Sequence, residues 1–284
     1  MSITNSAKAQ ILVDALPYIQ KYAGNIVVIK YGGNAMTDSK LKNAVMSDIV
    51  LLSQVGIRVV LVHGGGPEIN EMFGRLGKES RFIHGLRHTD GEAIDIVQMV
   101  LAGRVNKELV MSIQKQDGRA IGLCGIDGYI IKAEQKDKDL GYVGKITSIN
   151  IVPVLDILEK GYIPVIATTA AGEDGNIYNI NADEAASRLA SELGAMNFIL
   201  MTDVKGLLRD PNDKFSLISK INIAEIHELI KSDTISGGMI PKLKCCIDAV
   251  SSGVGQTTII DGRVLHAVLI EMLSNEGIGT LICK

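Results

Sequence analysis

The sequence predicts an α/β fold: an open, mostly parallel sheet sandwiched by helices, with an extra helix at the N-terminus. Two observations favour this class. Short apolar runs rich in β-branched residues alternate along the chain with segments of helical periodicity. The 284 residues are 46% hydrophobic, which is enough to form a sizeable core. Strands that alternate with crossover helices are typical of a parallel sheet covered on both faces.

The first predicted element is an amphipathic helix in an N-terminal extension, residues 1–24. Its apolar residues fall at helical spacing: Ile11, Leu12, Ala15, Leu16 and Ile19. The extension precedes the first strand and allows two interpretations. The helix packs on its own domain, which the periodicity alone favours, or it is an arm that docks on a neighbouring subunit.

The other predicted elements follow in chain order. Strands are predicted at 26–31, 58–63, 120–125, 129–134, 162–168, 198–203 and 256–261. Helices are predicted around 39–55, from Pro67 onward, at 182–193 and at 240–252. The Gly-rich, polar stretch 168–179 is the best candidate for a boundary between two lobes, 25–178 and 179–284.

Composition and charge argue against several classes of partner. The net charge of −3 and the 4% aromatic content provide neither a basic field nor a stacking surface for nucleic acid. No stretch reaches the roughly 18 uninterrupted apolar residues of a membrane span, and the N-terminus lacks the pattern of a secretory signal. We therefore expect small-molecule ligands, and neither nucleic acid nor membrane as partner.

The cysteines indicate a reducing compartment. The chain has four cysteines, Cys124, Cys245, Cys246 and Cys283. They show no CxxC spacing and no nearby histidine at metal-ligand intervals. Cys245 and Cys246 are adjacent, which suits a disulfide framework poorly. We expect reduced thiols in a cytosol-like environment.

Two of the predicted strands end in glycine-rich turns, KYGGN at 30–34 and HGGGP at 63–67. In a parallel sheet, ligands bind beyond the carboxyl ends of the strands. Bare glycine backbone and a helix N-terminus suit an anion there. Glycine-rich turns also simply reverse a chain, so the pattern alone leaves both interpretations open. Neither a P-loop nor a GxGxxG motif after a strand is present, so any nucleotide binds in another way.

Three further segments place polar residues at predicted helix entrances: GLRHTDGEA with Arg87, YNINADEAASRLA with Asn179, Asn181 and Asp183, and SGGMIPKLKCC with Lys242. A guanidinium at the first is suited to grip a carboxylate through two hydrogen bonds. Each segment also has a simpler interpretation. Arg87 could be an ordinary surface arginine, and Lys242 could be a solvated lysine. Asn181 or Asp183 could simply cap a helix, which spacing alone favours.

Together, two lysines, two anion cradles and one carboxylate describe a site that stabilises negative charge. The sequence shows no Ser-His-Asp or metal-ligand cluster that would indicate covalent or metal chemistry. Phosphoryl transfer needs such a site, because the protein mostly positions and neutralises the charged group. Each well-placed donor contributes on the order of 3 kcal/mol.

The same segments resemble a known family. The motifs KYGGNAM, VLVHGGGPEIN, GLRHTD, YNINADEAA, LMTDVKGLL and SGGMIPKL are similar, in this order and over nearly the whole chain, to those of the N-acetylglutamate kinases in the amino acid kinase family. Aspartokinases resemble KFGG followed by Thr-Ser at the first motif, and uridylate kinases resemble KLSGE; neither matches this chain. The trailing domain of aspartokinases is also missing from this sequence.

The resemblance implies the amino acid kinase fold and an ATP-dependent phosphorylation of the side-chain carboxylate of N-acetyl-L-glutamate in arginine biosynthesis. Mg²⁺ would accompany the nucleotide. Lobe 25–178 would bind N-acetylglutamate and lobe 179–284 would bind ATP. By motif match, Lys30 and Lys242 would flank the transferred phosphoryl group and Asp183 would orient both lysines, which overrides its interpretation as a cap.

The remaining site residues also come from the resemblance. Gly33, Gly65 and Gly66 would supply backbone N–H donors, Arg87 would bind the α-carboxylate of the substrate, and Asn179 would contact the same molecule. The nucleotide contacts would be Thr202, Asp203 and Lys205. The substrate carboxylate is already ionised at neutral pH, so the site needs no general base.

Two further segments resemble the arginine-inhibited, ring-forming members of the family. The extension 1–24 is similar to their additional N-terminal helix, and HAVLIEMLSNEGIGTLI at 266–282 is similar to their arginine site. The resemblance implies His266, Glu276 and Gly279 as arginine contacts. It also implies feedback inhibition by L-arginine and a homohexamer built as a trimer of dimers through residues 1–24.

The resemblance leaves compartment and some partners open. It allows a bacterial cytoplasm, or a plastid stroma in a photosynthetic eukaryote, where a PII-type signalling protein would be a partner. Two rival functions also remain. One is another amino acid kinase, acting on glutamate or aspartate, and the other is a non-catalytic amino-acid sensor of the same fold.

Overall fold

The computed structural model describes residues 4–284 except 211, 212, 214, 233, 234, 236 and 276. The described residues form ten α-helices: α1 (Asn5–Tyr22), α2 (Ser39–Gln54), α3 (Gly66–Arg75), α4 (Gly91–Gln98), α5 (Asn106–Gln114), α6 (Val152–Glu159), α7 (Ala182–Glu192), α8 (Ile223–Lys231), α9 (Met239–Ser251) and α10 (Ala267–Leu273). A π-helical segment, Met99–Val105, joins α4 to α5.

The described strands number fourteen: β1 (Ile26–Tyr31), β2 (Arg58–His63), β3 (Phe82–Ile83), β4 (Leu86–Arg87), β5 (Ala120–Cys124), β6 (Ile131–Gln135), β7 (Gly144–Ile149), β8 (Ile163–Ala167), β9 (Thr169–Gly172), β10 (Ile177–Asn179), β11 (Asn197–Thr202), β12 (Lys220–Asn222), β13 (Gln256–Asp261) and β14 (Thr280–Cys283).

Eight strands form the central sheet, in the order β12-β14-β13-β11-β1-β2-β8-β5. Neighbouring strands run parallel except β13 and β14. This confirms the predicted open, mostly parallel sheet. Strands that precede residue 168 occupy one half of the sheet and strands that follow residue 196 occupy the other, so β1 and β11 meet at the middle. The ligand of each half stays a prediction.

Helices bury both faces of this sheet. Alternate residues of β1 enter two separate apolar clusters, Val27 and Ile29 on one face and Ile26 and Val28 on the other. Side chains alternate across a strand, so a run apolar at every position must be covered on both sides. The continuous apolar sequence of β1 is therefore the local cause of the sandwich.

A second, four-stranded sheet, in the order β10-β9-β6-β7, lies beside the carboxyl end of β8. The stretch 168–179, predicted as a polar lobe boundary, forms the β9–β10 hairpin of this sheet. Its turn has Gly175 at a φ of +81°, in the region that favours glycine. The Tyr178 hydroxyl donates to Asp174 across the turn at 2.6 Å. The polar residues that predicted a lobe boundary therefore form a tight hairpin.

The N-terminal helix α1 confirms the predicted extra helix. Thr4 caps it by accepting from the Ala7 N–H at 3.2 Å. The Ile11, Leu12 and Leu16 side chains of its apolar stripe are exposed. Among the helices that the structure describes, none has the combination of length and apolar character needed to span a membrane.

Candidate active site

A cavity of about 280 Å³ opens at the carboxyl ends of β1, β2 and β8. It is lined by seven of the residues that the motifs singled out: Lys30, Gly33, Gly65, Gly66, Arg87, Asn179 and Asp183. These residues come from both halves of the chain. The structure therefore brings the predicted substrate residues and two of the three predicted catalytic residues together.

Asp183 bridges the two predicted catalytic lysines. Its Oδ1 lies 2.9 Å from Nζ of Lys30, and its Oδ2 lies 2.9 Å from Nζ of Lys242. The side chain of Asp183 is 14% exposed, that of Lys30 is 11% exposed and that of Lys242 is 28% exposed. Burial alone would raise the pKa of the Asp183 carboxyl, but Lys30 and then Lys242 outweigh it and hold that pKa below its ordinary value. The carboxylate is therefore ionised and holds two ammonium groups close together.

Local structure explains why Asp183 is available for this role. Asn181 is the N-cap of α7 and accepts from the N–H groups of Asp183 and Glu184 at 3.0 and 3.1 Å. The capping position therefore belongs to Asn181, and the Asp183 side chain projects from the first turn of α7. The first turn of α9 brings Lys242 to it, because α7 and α9 pack against each other.

The first glycine-rich turn lies close to two charged side chains. A Cβ at Gly32 would lie 2.6 Å from Nζ of Lys30, and one at Gly33 would lie 2.6 Å from Oδ1 of Asp203. Gly33 also has a φ of +71°, which favours glycine. The first turn thus lets the backbone sit directly against the lysine and brings the predicted nucleotide residue Asp203 beside it.

The second turn begins α3 with Gly65 as N-cap and with Pro67 in the first turn. The backbone N–H groups at the start of a helix have no partner within the helix and attract an anion. Gly65 and Gly66 both line the cavity. This geometry supports the interpretation as an anion cradle.

Arg87 also lines the cavity and is 8% exposed. Its guanidinium carbon lies 5.5 Å from the ring centre of Phe73 and 4.8 Å from that of Phe82. One of its terminal nitrogens donates to the carbonyl oxygen of Gly66 at 3.3 Å. Burial lowers the pKa of Arg87, yet an arginine remains charged at any physiological pH. Two aromatic rings therefore hold a fixed cation at the cavity.

Asn179, at the end of β10, is tied to the segment that carries Arg87. Its Nδ2 donates to Oγ1 of Thr89 at 3.3 Å, and that hydroxyl donates to the carbonyl oxygen of Arg87 at 2.9 Å. Thr89 is fully buried. The two predicted substrate residues are thus joined through one hydroxyl group.

The predicted nucleotide residues lie at the end of β11 and just after it, and they are outside the lining of this cavity. Thr202 is 4% exposed, and its hydroxyl is engaged with the backbone of Val204 and Ile260 at 3.1 and 3.4 Å. Lys205 is exposed and lies close enough to Asp261 to help lower the pKa of that carboxyl. Their roles as nucleotide contacts stay predictions.

Two of the three predicted arginine contacts are described by the structure, and their role stays a prediction. His266 Nδ1 lies 2.6 Å from Oδ1 of the buried Asp48. The Gly279 N–H donates to Glu271 at 3.1 Å. Glu276 lies outside the described residues. Neither His266 nor Gly279 is among the residues that line the cavity beside α1, which has a volume of about 290 Å³.

Sequence reasoning missed several residues around the site. Phe73, Phe82 and Thr89 support Arg87. A lone aromatic residue or threonine in the sequence has the same pattern as an ordinary packing residue, so no local signal singles these three out. Glu271, Tyr22 and Gln256 line the cavity beside α1. They are distant in sequence, so no local pattern could have grouped them.

Comparisons with known proteins agree with this geometry. A sequence profile described as the amino acid kinase family matches residues 25–261. The acetylglutamate kinase of Thermoanaerobacter sp. (strain X514) is 55% identical over 280 residues, which cover 98% of this chain and 94% of the relative.

Two solved structures are similar to the whole chain. A Streptococcus mutans UA159 protein, smu.665, matches with a TM-score of 0.77 and 32% identity, covering 91% of this chain and 98% of its own. The N-acetylglutamate synthase of Neisseria gonorrhoeae, complexed with coenzyme A and N-acetyl-glutamate, matches with a TM-score of 0.86 over 97% of this chain. This chain spans only 63% of the synthase chain, and at 24% identity the likeness shows the fold alone.

The profile spans most of the chain, and a relative of nearly equal length shares more than half of its residues. The chain therefore belongs to the amino acid kinase family and, within it, to the acetylglutamate kinases.

Proposed function

We propose that this protein transfers the γ-phosphoryl group of ATP to the side-chain carboxylate of N-acetyl-L-glutamate in arginine biosynthesis, giving N-acetyl-L-glutamyl 5-phosphate. The observation that carries the proposal is the bridge from Lys30 through Asp183 to Lys242, with 2.9 Å at each contact. It places two cations beside the glycine-rich turns, where an anionic group can be held between them.

The chemistry of the transfer suits these residues. The substrate carboxylate attacks the γ-phosphorus, and the bond from that phosphorus to the bridging oxygen of ATP breaks. Negative charge spreads over the equatorial and leaving oxygens, where ammonium and backbone N–H groups stabilise it most. Lys30 and Lys242 would neutralise this charge, and Asp183 would keep the two ammonium groups in place. No proton has to be removed from the nucleophile.

Arg87 and Asn179 support a substrate with a second carboxylate. A guanidinium held between two aromatic rings is fixed in direction and binds a carboxylate through two parallel hydrogen bonds. Arg87 lines the same cavity as Lys30, so it would hold the α-carboxylate while the side-chain carboxylate points to the phosphoryl group.

The nucleotide would approach from the half of the chain that contains β11 and α9, over Thr202, Asp203 and Lys205. Mg²⁺ would be held by the phosphate oxygens of ATP, since this ion usually keeps few protein ligands. The described residues contain no group of three or more His, Cys, Asp or Glu side chains arranged to hold a metal ion.

Rival functions are separated by one assay. ADP release from ATP and Mg²⁺ would be followed with N-acetyl-L-glutamate and, in parallel, with L-glutamate and L-aspartate. We expect turnover on the acetylated substrate only. Turnover on an unacetylated acid would favour another amino acid kinase, and no turnover by folded protein would favour a sensor.

The cavity beside α1 supports feedback inhibition by L-arginine. It brings Lys21 and Lys220 near the carboxylate of Glu271, so it offers charges of both signs to an amino acid with a cationic side chain. Burial raises the pKa of Glu271. The hydrogen bonds that its carboxylate accepts from the N–H groups of Ile278 and Gly279 lower the pKa by less than burial raises it. A guanidinium partner would stabilise its charged form.

The exposed apolar stripe of α1 supports the arm interpretation and a homohexamer. Ile11, Leu12 and Leu16 are 56%, 72% and 47% exposed, so the apolar side of α1 remains uncovered within one chain. Deleting residues 1–22 would remove this stripe together with Lys21. We expect the deletion to reduce both assembly size and arginine sensitivity, measured by light scattering and by the ADP assay. If both are unchanged, the regulatory proposal is wrong.

We place the protein in a bacterial cytoplasm. The similar kinase is from a bacterium, and the four cysteines are unpaired in the structure, as a reducing compartment would keep them. The plastid alternative has no support from that relative. A PII-type signalling partner would be tested by co-purification with and without arginine.

A further inference from the structure

A buried group of hydrogen bonds lies behind the glycine-rich turn 63–67. His63 is fully buried at the carboxyl end of β2. Its Nδ1 lies 2.8 Å from the carbonyl oxygen of Gly64, and its Nε2 lies 3.1 Å from Nδ2 of Asn106. His63 and Asn106 do not line the cavity, and the transfer described above uses neither of them.

The partners of the His63 ring determine which nitrogen carries the hydrogen. A carbonyl oxygen can only accept, so Nδ1 is protonated and donates to Gly64. Nε2 is then the acceptor, and Asn106 donates to it. Burial lowers the pKa of His63 to about 4. The hydrogen bond to Gly64 raises this pKa by a smaller amount, and the positive charge of Lys107 lowers it further. The ring is therefore neutral and confined to one tautomer.

Asn106 is itself held in a fixed orientation. Its Nδ2 lies 2.8 Å from the carbonyl oxygen of Val165 and 3.0 Å from that of Leu123. Its Oδ1 accepts from Nζ of Lys107 at 3.0 Å. Because Oδ1 accepts from the lysine, Nδ2 faces His63 and the two carbonyl oxygens, and its two hydrogens are shared among these three acceptors.

The π-helical segment braces the same turn. Asn106 follows it directly as the first residue of α5. Leu101, within the segment, packs so close to the turn that a Cβ at Gly65 would lie 2.6 Å from its Cδ2. Such segments often occur at functional sites. Leu101 therefore packs against Gly65 of the turn, and the His63 ring is hydrogen-bonded to Gly64.

The bond to His63 fixes the direction of the next N–H group. In a trans peptide the C=O and N–H groups point to opposite sides. The Gly64 carbonyl oxygen faces the buried ring, so the N–H of Gly65 faces away from it. Gly65 lines the cavity, and its N–H has no backbone acceptor in the part of the chain that the structure describes.

We propose that His63 is a positioning residue, whose neutral ring, oriented by Asn106, aims the N–H of Gly65 at the phosphoryl group during transfer. The inference rests on the proposed function. A donor stabilises the transition state only when it points to where the charge develops. His63 does not line the cavity, so its loss should slow the transfer more than it weakens substrate binding.

Kinetics of two variants test the proposal. His63→Leu removes both hydrogen bonds and keeps an apolar side chain in the buried site. We expect kcat to fall by roughly 100- to 1,000-fold, the range for loss of one oxyanion donor. The KM for N-acetylglutamate should change by less than about threefold, as for a group that acts in the transition state. His63→Asn keeps an N–H donor near the position of Nδ1 and should recover most of the lost kcat.

The matched control is His227→Leu, at an exposed position on α8, which should leave kcat unchanged. Circular dichroism and thermal unfolding check that each variant is folded. The proposal is overturned if folded His63→Leu keeps the wild-type kcat, or if His63→Asn is as slow as His63→Leu.

Nuclear magnetic resonance tests the geometry independently of turnover. In ¹⁵N-labelled protein, His63 should carry its hydrogen on Nδ1 and should not titrate between pH 8 and about pH 5. The Gly65 amide proton should shift downfield when Mg²⁺ and a non-hydrolysable ATP analogue are added, and His63→Leu should lose that shift. A hydrogen on Nε2 would overturn the proposal even in an active kinase. A wild type that shows both signals without turnover would count against the proposed reaction and support the positioning role.

Discussion

Nζ of Lys30 lies 2.9 Å from Oδ1 of Asp183, and this contact joins the two halves of the chain at the floor of the cavity. Lys30 belongs to β1 and Asp183 to the first turn of α7. The second oxygen of the same carboxylate holds Lys242 from α9. One carboxylate therefore sets the separation of two ammonium groups, which an anionic phosphoryl group would otherwise have to draw together.

Replacing Asp183 with asparagine should slow phosphoryl transfer. The amide can still accept one hydrogen bond, but it no longer offsets the repulsion between Lys30 and Lys242, so the two cations lose their fixed spacing. We expect kcat to fall by about 100-fold or more, a magnitude typical of lost transition-state stabilisation. The KM for N-acetylglutamate should change little, because Arg87 is untouched. Steady-state ADP release measures both constants.

The control for this variant is Asp156→Asn, the same change at an exposed position on α6. It should leave both constants at their wild-type values. An Asp183→Asn protein that is folded and retains the wild-type kcat would show that the bridge has only a structural role.

The same substitution should change the pH dependence of stability. The pKa of Asp183 in the folded protein is held below its ordinary value, because the two lysines outweigh the effect of burial. Such a group contributes stability above its unfolded pKa, about 3.9, and loses it as the pH falls through the folded pKa. The difference in free energy of unfolding between wild type and Asp183→Asn should be constant above about pH 5 and shrink below about pH 4. Urea unfolding at several pH values measures it, and a difference that grows in acid would contradict the assignment.

Much of the central sheet could be predicted because its strands have a local signature. β1 and β2 each contain four consecutive apolar residues and are followed by glycine-rich turns, and their bounds are those predicted. β12 and β14 have three and four residues and exist through long-range pairing, such as Lys220 with Leu281. Pairing between distant segments leaves no local pattern, so the sequence does not predict these two short strands.

The candidate site shows the same division between local and long-range information. Lys30 stands out because a cation ends a buried strand. Asp183 does not, since residues 181–184 have the pattern of an ordinary helix entrance, and only the packing of α7 against α9 brings Lys242 to it. Asn106 has even less signal, because its partners on β2, β5 and β8 come from three other elements.

Replacing Arg87 with lysine should weaken substrate binding more than it slows the transfer. An ammonium group cannot form two parallel hydrogen bonds to a carboxylate and does not stack between Phe73 and Phe82 as a planar guanidinium does. We expect the KM for N-acetylglutamate to rise by about tenfold or more, as for loss of one charge-assisted hydrogen bond, with the KM for ATP unchanged. Arg81→Lys, at an exposed neighbouring position, is the control. A rise in the KM for ATP alone would assign Arg87 to the nucleotide.

The same substitution at two glycines should change stability in opposite directions. A Cβ at Gly279 would lie 2.1 Å from the carbonyl oxygen of Ile259, a backbone atom that cannot move aside, so Gly279→Ala should destabilise the protein by about 1–3 kcal/mol. At Gly74, within α3, a Cβ would meet no atom within 4 Å. Gly74→Ala should therefore stabilise the protein by roughly 0.5–1 kcal/mol, because alanine loses less backbone entropy in a helix. Urea unfolding of the two variants measures both effects. Equal midpoints would mean that β13 and the Gly279 segment do not approach as closely as the structure has them.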